Sequence, residues 1–297
     1  MEALVTHLDA DGIISASLFL KIKPNVNIYF SSHSLLLKSL CSLLIKDFPQ
    51  VTILDISPTQ KTLFLSSIFD KAIWIDHHVW EKLEIPKNVE IFNENLKSTA
   101  SLVAKIFEIN DEITKIADEI DTNEVKSEEA EFFRDLISTI KWKYKSWQIL
   151  KFRQIIKFLV YKNIEELIKK EDNVKDVTEF RNWVKEKIEE ILDKIIISQV
   201  KNKKIILVES YNNVPVYSIF NELKEREKFD ILAVFYRKVN YKEKKISTKI
   251  EFRTSNNFNV LLIAKYFGGG GHKFASGCFL DYYLTFNDFL ERIENLI

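Results

Sequence analysis

The sequence predicts an α/β protein with an amino-terminal parallel sheet, a helical connector and a smaller carboxy-terminal α/β domain, and three observations predict it. Up to about residue 125, short apolar runs alternate with stretches whose apolar residues recur every three or four positions, the rhythm of strand–helix–strand units. Three of these runs end directly in clusters of aspartate and histidine, and carboxyl ends of strands are where open parallel sheets bind ligands. From about residue 201 the strand rhythm returns, after a stretch over 127–200 that holds no glycine or proline.

In chain order, strands are expected over 3–8, 26–30, 51–55 and 71–76. Ser98 then caps an amphipathic helix carrying Ala100, Leu102, Val103, Ile106 and Phe107, and a further helical pattern runs over 113–120 into Asp121. Residues 127–200, rich in Lys and Glu with apolar residues at helical spacing, read as several connecting helices. A strand follows over 203–209, and Pro215 opens a helix. Two strands over 231–237 and 245–253 flank a polar turn, a helix over 260–267 leads into a glycine run, and a last helix begins near Phe286. The domains are therefore 1–125, 126–200 and 201–297.

A chain of 297 residues exceeds the usual size of one domain, and its 46% hydrophobic and 29% charged fractions are those of a soluble globular protein. Forty-three basic and forty-three acidic residues leave no net charge, so nothing pulls the whole molecule toward long polyanions; nucleic-acid binding would need a local patch. Cys41 and Cys278 form no CxxC pair, which argues against structural zinc and a disulfide framework and suits a reducing cytoplasm. The opening residues lack a signal-peptide pattern and no apolar run reaches eighteen residues, so no membrane partner is expected.

The chemistry lies in His7, Asp9 and Asp11 of HLDADG, Asp55 of ILDIS, and Asp76, His77 and His78 of WIDHH. Gly12 permits a tight exit from the first cluster into a helix. Separately, these residues read as helix caps, strand ends and packed imidazoles. Together, converging aspartates without nearby lysine or arginine would repel one another, and a divalent cation is the natural resolution. Carboxylate and imidazole donors suit manganese, with magnesium or cobalt as alternatives. His33 lacks acidic neighbours and reads as a helix-start or core residue.

These motifs, with GGGGHKFASG over 268–277, resemble the DHH phosphoesterases that carry a DHH-associated carboxy-terminal domain, a group of RecJ-type exonucleases, nanoRNases and cyclic-dinucleotide phosphodiesterases. The resemblance spans the chain except about 127–200. It implies that His7 and Asp9 hold one metal, Asp11 and His77 a second, and that Asp55 bridges them. A further aspartate from IADEIDTNE completes the second site; Asp121, followed by Thr122, matches better than Asp118. Asp76 would orient an imidazole, and His78 would contact the scissile phosphate. Gly269, Gly270, Gly271 and His272, with Arg253, would bind the substrate's end. Consecutive glycines offer amides that can form an anion nest, and the arginine fork suits a terminal phosphate. The resemblance further implies that domain closure brings the two halves of this site together.

Between Leu136 and Ile164 there is no acidic residue, while Lys141, Lys143, Lys145, Lys151, Arg153 and Lys157 interleave with Trp142, Tyr144, Trp147, Phe152 and Phe158. Such a patch suits single-stranded nucleic acid, although an amphipathic helix with core aromatics is the preferred reading. The expected function is a two-metal phosphodiesterase that shortens single-stranded nucleic acid or short oligonucleotides from an end. The alternatives are a cyclic-dinucleotide phosphodiesterase, a 3'-phosphoadenosine 5'-phosphate phosphatase, and, in another class, an inactive RecJ-like scaffold among replication or repair proteins.

Overall fold

A computed structural model describes residues 1–80, 82–240 and 245–297. They form two compact units, Met1–Thr178 and Glu179–Ile297. The first unit begins β1 (Glu2–His7), α1 (Ala10–Ile22), β2 (Val26–Ser31), α2 (Leu36–Ile45), β3 (Gln50–Leu54), α3 (Gln60–Ser66), β4 (Lys71–Asp76) and β5 (Val89–Asn93). It continues as helices α4 (Thr99–Ile106), α5 (Ile113–Asp121), α6 (Glu128–Lys143), α7 (Gln148–Tyr161) and α8 (Ile164–Ile168); α9 (Glu171–Leu192) crosses into the second unit.

All five strands of the first sheet are parallel, in the order β2-β1-β3-β4-β5. Both faces are covered, so the inner strands β1, β3 and β4 are buried almost throughout rather than alternating with exposed residues, while the edge strands β2 and β5 carry exposed Asn27 and Glu90. In β1, Leu4 packs into the core shared with α1, α4, α5, α6 and α7, while Ala3 and Val5 pack on the other face with residues of α2 and α3. The order reverses at β1: the chain passes first to β2 on one side and then to β3 on the other. The crevice between the carboxyl ends of β1 and β3 is therefore the topological switch point of the sheet, the place where such folds open a ligand cleft.

The second unit continues with β6 (Ile196–Val200), β7 (Lys203–Ser210), α10 (Val216–Arg226), β8 (Ile231–Asn240), β9 (Lys245–Thr254), α11 (Val260–Tyr266), β10 (Gly270–Gly271), β11 (Ala275–Leu280) and α12 (Phe286–Ile293). Its sheet runs β10-β11-β9-β8-β7-β6, with β7 and β8 parallel across α10 and the other pairs antiparallel. Phe289 of α12 fills the core against Phe235, Phe252 and Phe267, at ring-centroid distances of 5.2, 5.9 and 5.8 Å.

The expected strands and the capped helix at Ser98 are present within a residue or so of their expected starts, though β8 runs on to Asn240. Four strands were not expected: β6, whose residues 196–200 were read among the connecting helices, and β5, β10 and β11. The expected polar turn between β8 and β9 includes residues 241–244, outside the described residues. Among the described residues no helix is long and apolar enough to cross a membrane.

Candidate metal centre and substrate-binding turn

Each of the three acidic clusters leaves the sheet at the carboxyl end of a strand. After β1 the chain turns directly into α1, and Asp9 is its N-cap: Oδ1 accepts from Gly12 N at 3.0 Å, while Oδ2 contacts His7 Nδ1. The turn is so tight that a Cβ on Gly12 would stand 2.5 Å from the His7 carbonyl oxygen, so glycine is required there.

Asp11, in the first turn of α1, is buried and faces the start of α4. Its Oδ2 accepts from Thr99 N at 2.7 Å and its Oδ1 from Ala100 N at 2.8 Å. Those amides lack partners within their own helix, and the helix dipole adds positive potential to them. Asp55, just after β3, has φ +59°, a left-handed conformation that aspartate tolerates better than most residues. Thr99 Oγ1 donates to its Oδ1 at 3.1 Å.

After β4, Asp76 accepts from His78 Nδ1 at 2.7 Å, Ser57 Oγ at 3.0 Å and Trp80 Nε1 at 2.5 Å. Its two oxygens are thus held by protein donors, which suits an orienting residue. Asn93, at the end of β5, ties down the same loop by donating to the carbonyls of Asp76 at 2.6 Å and His78 at 2.9 Å. His77 is buried, and its Nδ1 donates to Leu96 O at 3.1 Å, which fixes the ring orientation and turns Nε2 toward the carboxylates. That Nε2 lies 3.3 Å from Asp121 Oδ2, 3.8 Å from Asp11 Oδ2 and 3.9 Å from Asp55 Oδ1.

Two donor groups result, His7–Asp9–Asp55 and Asp11–His77–Asp121, and each has its ligand atoms within 4.8 Å of one another. Asp55 reaches toward both, with Oδ2 4.0 Å from His7 Nδ1 and Oδ1 3.9 Å from His77 Nε2. Between the two aspartates of α5, the structure brings Asp121 to this cluster. Asp118 instead accepts from Ser98 Oγ at 2.6 Å and Ser101 Oγ at 2.7 Å. His33 lies at the start of a short 3-10 turn before α2, and none of these donor groups includes it.

The electrostatics match a cation site. Among the described residues, the ion pairs of Asp11 and Asp55 are with histidines alone. Burial, then the carboxylates of Asp11, Asp9, Asp121 and Asp76, drives the Asp55 carboxyl well above the ordinary range. Burial, with Asp11 and Asp9, does the same to Asp121. Burial also raises Asp11, Asp9 adding and His77 opposing. For Asp9 burial acts upward too, but the charge and hydrogen bond of His7 outweigh it and hold the carboxyl below the ordinary range. Burial likewise opposes the Asp76 shift, yet His78 prevails and Asp76 lies low. Burial acts downward on His78, but the hydrogen bond and charge of Asp76 outweigh it and push the imidazole up to about 9. Buried carboxylates that raise one another's pKa lack the countercharge that a divalent ion would supply.

In the second unit, the glycine run links α11 to β11. Gly271 has φ +122°, and a Cβ on it would stand 2.7 Å from Ala275 O. Not all of the amides are open to an anion: Gly268 N donates to Lys265 O, Gly269 N to Ala264 O and His272 N to Ala275 O. Gly270, which pairs with Gly277, has open space where a Cβ would lie. Arg253 stands opposite Ala275 on the neighbouring strand, at the strand end beside the glycine turn.

The groups that sequence reasoning missed are the helpers: the α4 amides, Ser57, Trp80 and Asn93. The capping serine at 98 was a usable signal, because a helix start implies open amides, but the direction of those amides requires the fold.

Residues 192–297 match the DHHA1 domain model. The whole chain is similar in structure to the pGpG-specific phosphodiesterase PggH of Vibrio cholerae (TM-score 0.60, 17% identity, 100% of this chain and 97% of that one). It is also similar to RecJ of Thermus thermophilus in complex with Mn2+ (TM-score 0.58, 12% identity, 99% and 51%). A third likeness is to an exopolyphosphatase-related protein of Bacteroides fragilis (TM-score 0.50, 17% identity, 99% and 92%). No curated protein sequence matches the chain. Residues 192–297 thus carry a DHHA1 domain, and the chain as a whole has the fold of these structures.

Proposed function

We propose that this protein is a divalent-metal-dependent phosphodiesterase that hydrolyses short single-stranded nucleic acids from an end. The observation that carries the reading is the meeting of two donor groups at Asp55, His7–Asp9 on one side and Asp11–His77–Asp121 on the other. A pair of divalent ions bound by these residues, manganese above all, would supply Lewis acidity toward a phosphoryl oxygen and acidify a water for attack.

The protein's own groups supply the rest. The α4 amides and Thr99 fix Asp11 and Asp55, so the ligand set is arranged before substrate arrives. His78, kept protonated by Asp76, is a charged donor for a non-bridging phosphate oxygen, and Asp76 itself is a positioning residue. In the second unit, Arg253 and the turn of Gly269, Gly270, Gly271 and His272 are proposed to bind the terminal anionic group of the substrate, with Arg253 as the forked donor.

Correspondence with the pGpG-specific enzyme over nearly the full length of both chains favours short substrates, whereas RecJ of T. thermophilus is about twice as long. That same likeness supports a second reading, a phosphodiesterase for linear or cyclic dinucleotides. The filled ligand set supports an enzyme over a scaffold.

The test is a manganese-dependent time course on end-labelled RNA and DNA from dinucleotides to long strands, with cyclic dinucleotides and 3'-phosphoadenosine 5'-phosphate alongside. Turnover confined to the shortest linear substrates is expected. Progressive shortening of long strands would move the protein to the RecJ type. No turnover of any substrate would overturn the enzymatic reading.

A further inference from the structure

The corner where α6 turns into α7 lies outside the family's motifs, in the stretch from Leu136 to Ile164 that carries no acidic residue. Most of its aromatics are spoken for. Phe152 is buried in the core, Tyr144 hydrogen-bonds Asp176, and the Lys170 ammonium lies 3.8 Å from the Phe158 ring centroid. Trp147 is not: it is 67% exposed, beside exposed Ile149 and Leu150. Its backbone is nevertheless fixed, because Trp147 N donates to Tyr144 O at 2.7 Å and Trp147 O accepts from Lys151 N at 3.1 Å.

The cations of the corner divide in the same way. Lys143 is held by Asp176 at 2.7 Å, whereas Lys145 is exposed and forms no ion pair among the described residues. Lys141, in the last turn of α6, is exposed, and α6 and α7 share a core with α1, the helix whose first turn carries Asp11. A rigidly mounted indole flanked by lysines, with no carboxylate in the surrounding sequence, is complementary to a polyanion with flat bases.

We propose that the α6–α7 corner is a binding platform for single-stranded nucleic acid, on which a base stacks against Trp147 while Lys141 and Lys145 pair with phosphates of the strand being cut at the metal centre. The proposal rests on the nucleic-acid reading of that centre and adds a determinant of strand affinity that the ligand cluster does not supply.

The experiment is fluorescence anisotropy with labelled RNA and DNA pentanucleotides and the full chain in manganese, carrying Asp55→Asn to prevent turnover. In that background Trp147→Ala is expected to raise Kd about tenfold, the scale of one lost base stack, and Trp147→Phe to restore most of the affinity. Lys145→Gln should reduce the slope of log Kd against log salt by about 0.7, the value for one phosphate contact on a single strand. Tyr161→Ala, at the other end of α7, should change neither. Weakening of RNA alone or DNA alone would identify which strand the platform serves. A Kd within twofold of the parent for Trp147→Ala on both strands overturns the platform, as does equal weakening by Tyr161→Ala. If the wild type cleaves none of the nucleic acids while Trp147→Ala still weakens binding, the platform stands and the hydrolytic reading falls; cleavage by the wild type with unchanged binding by the variant gives the reverse.

Discussion

In the first unit, polar residues stand at the carboxyl ends of buried parallel strands and push against one another; in the second, they lie beside an antiparallel ladder whose amides already have partners. Asp55 and Asp121 are raised well above the ordinary carboxylate range by burial and by neighbouring carboxylates. The glycine turn, by contrast, has spent the amides of Gly268, Gly269 and His272 on carbonyls of its own chain. One region is arranged so that a cation would relieve its repulsion, and the other has already paired several of its amides within its own chain. The proposed chemistry accordingly falls to the first unit and the proposed recognition to the second.

The sharpest way to break this contrast is at Asp55. Asp55→Ala is expected to lower kcat/KM for a short oligonucleotide by about a thousandfold or more, since metal-assisted charge stabilisation is worth several kcal/mol. Asp55→Asn, which keeps a residue tolerant of positive φ, should lose activity equally yet melt higher than the wild type in the absence of metal, because one of the mutually repelling carboxylates is gone. Retained turnover in either variant would remove Asp55 from the centre, and a lower melting temperature for Asp55→Asn would show that repulsion there is small.

Metal itself gives the next effect. Manganese at about a hundred times its Kd should stabilise the first unit by about 2.7 kcal/mol, a shift of roughly 5–10 °C for a unit of this size, without moving the transition of the second. The raised carboxyls of Asp55 and Asp121 retain protons above the ordinary range and must release them to bind a cation. Affinity should therefore rise as pH climbs from the carboxylate range toward neutrality and fall on acidification. Calorimetric titration across that range checks the sign, and a flat profile would contradict it.

In the second unit, Gly271→Ala should cost about 1–3 kcal/mol, because a Cβ must meet the Ala275 carbonyl at a φ of +122°. Arg253→Lys should raise KM for an oligonucleotide several-fold while the melting response to manganese stays as in the wild type. If that response vanished, the division of labour between the units would be wrong. The smallest effect is expected of Ser98→Ala, about 1 kcal/mol from the lost cap of α4, read by denaturant unfolding. It should also weaken manganese binding slightly, because that helix presents its amides to Asp11.

Much of this was legible in the residues. The inner strands of the parallel sheet are buried on both faces and so show as apolar runs, and the ligand candidates follow from their position directly after those runs; β5, half-exposed at the edge with Glu90 within it, does not. What was not legible has physical causes. Ile196 and Ile197 of β6 extend the apolar spacing of the preceding helix, so the strand is hidden in a helical rhythm. The choice of Asp121 over Asp118 depends on which side of α5 meets His77, a matter of packing. The spent amides of the glycine turn depend on partners in α11 and β11. The corner at Trp147 reads as core by composition, and its exposure shows only once α6 and α7 are placed.

The hydrogen bonds from Thr99 and Ala100 to Asp11 span 88 and 89 residues, and they bear on the order in which the protein assembles. A nascent chain that has emerged as far as His78 already carries both histidine-bearing motifs, but not the helix that steadies Asp11 or the carboxylate of Asp121. Contacts of such long separation form late, after the entropy of closing the intervening loop has been met. Tight metal capture would then mark the completion of the first unit, and a partly synthesised chain would be spared a strongly held ion that could lock its carboxylates in the wrong arrangement.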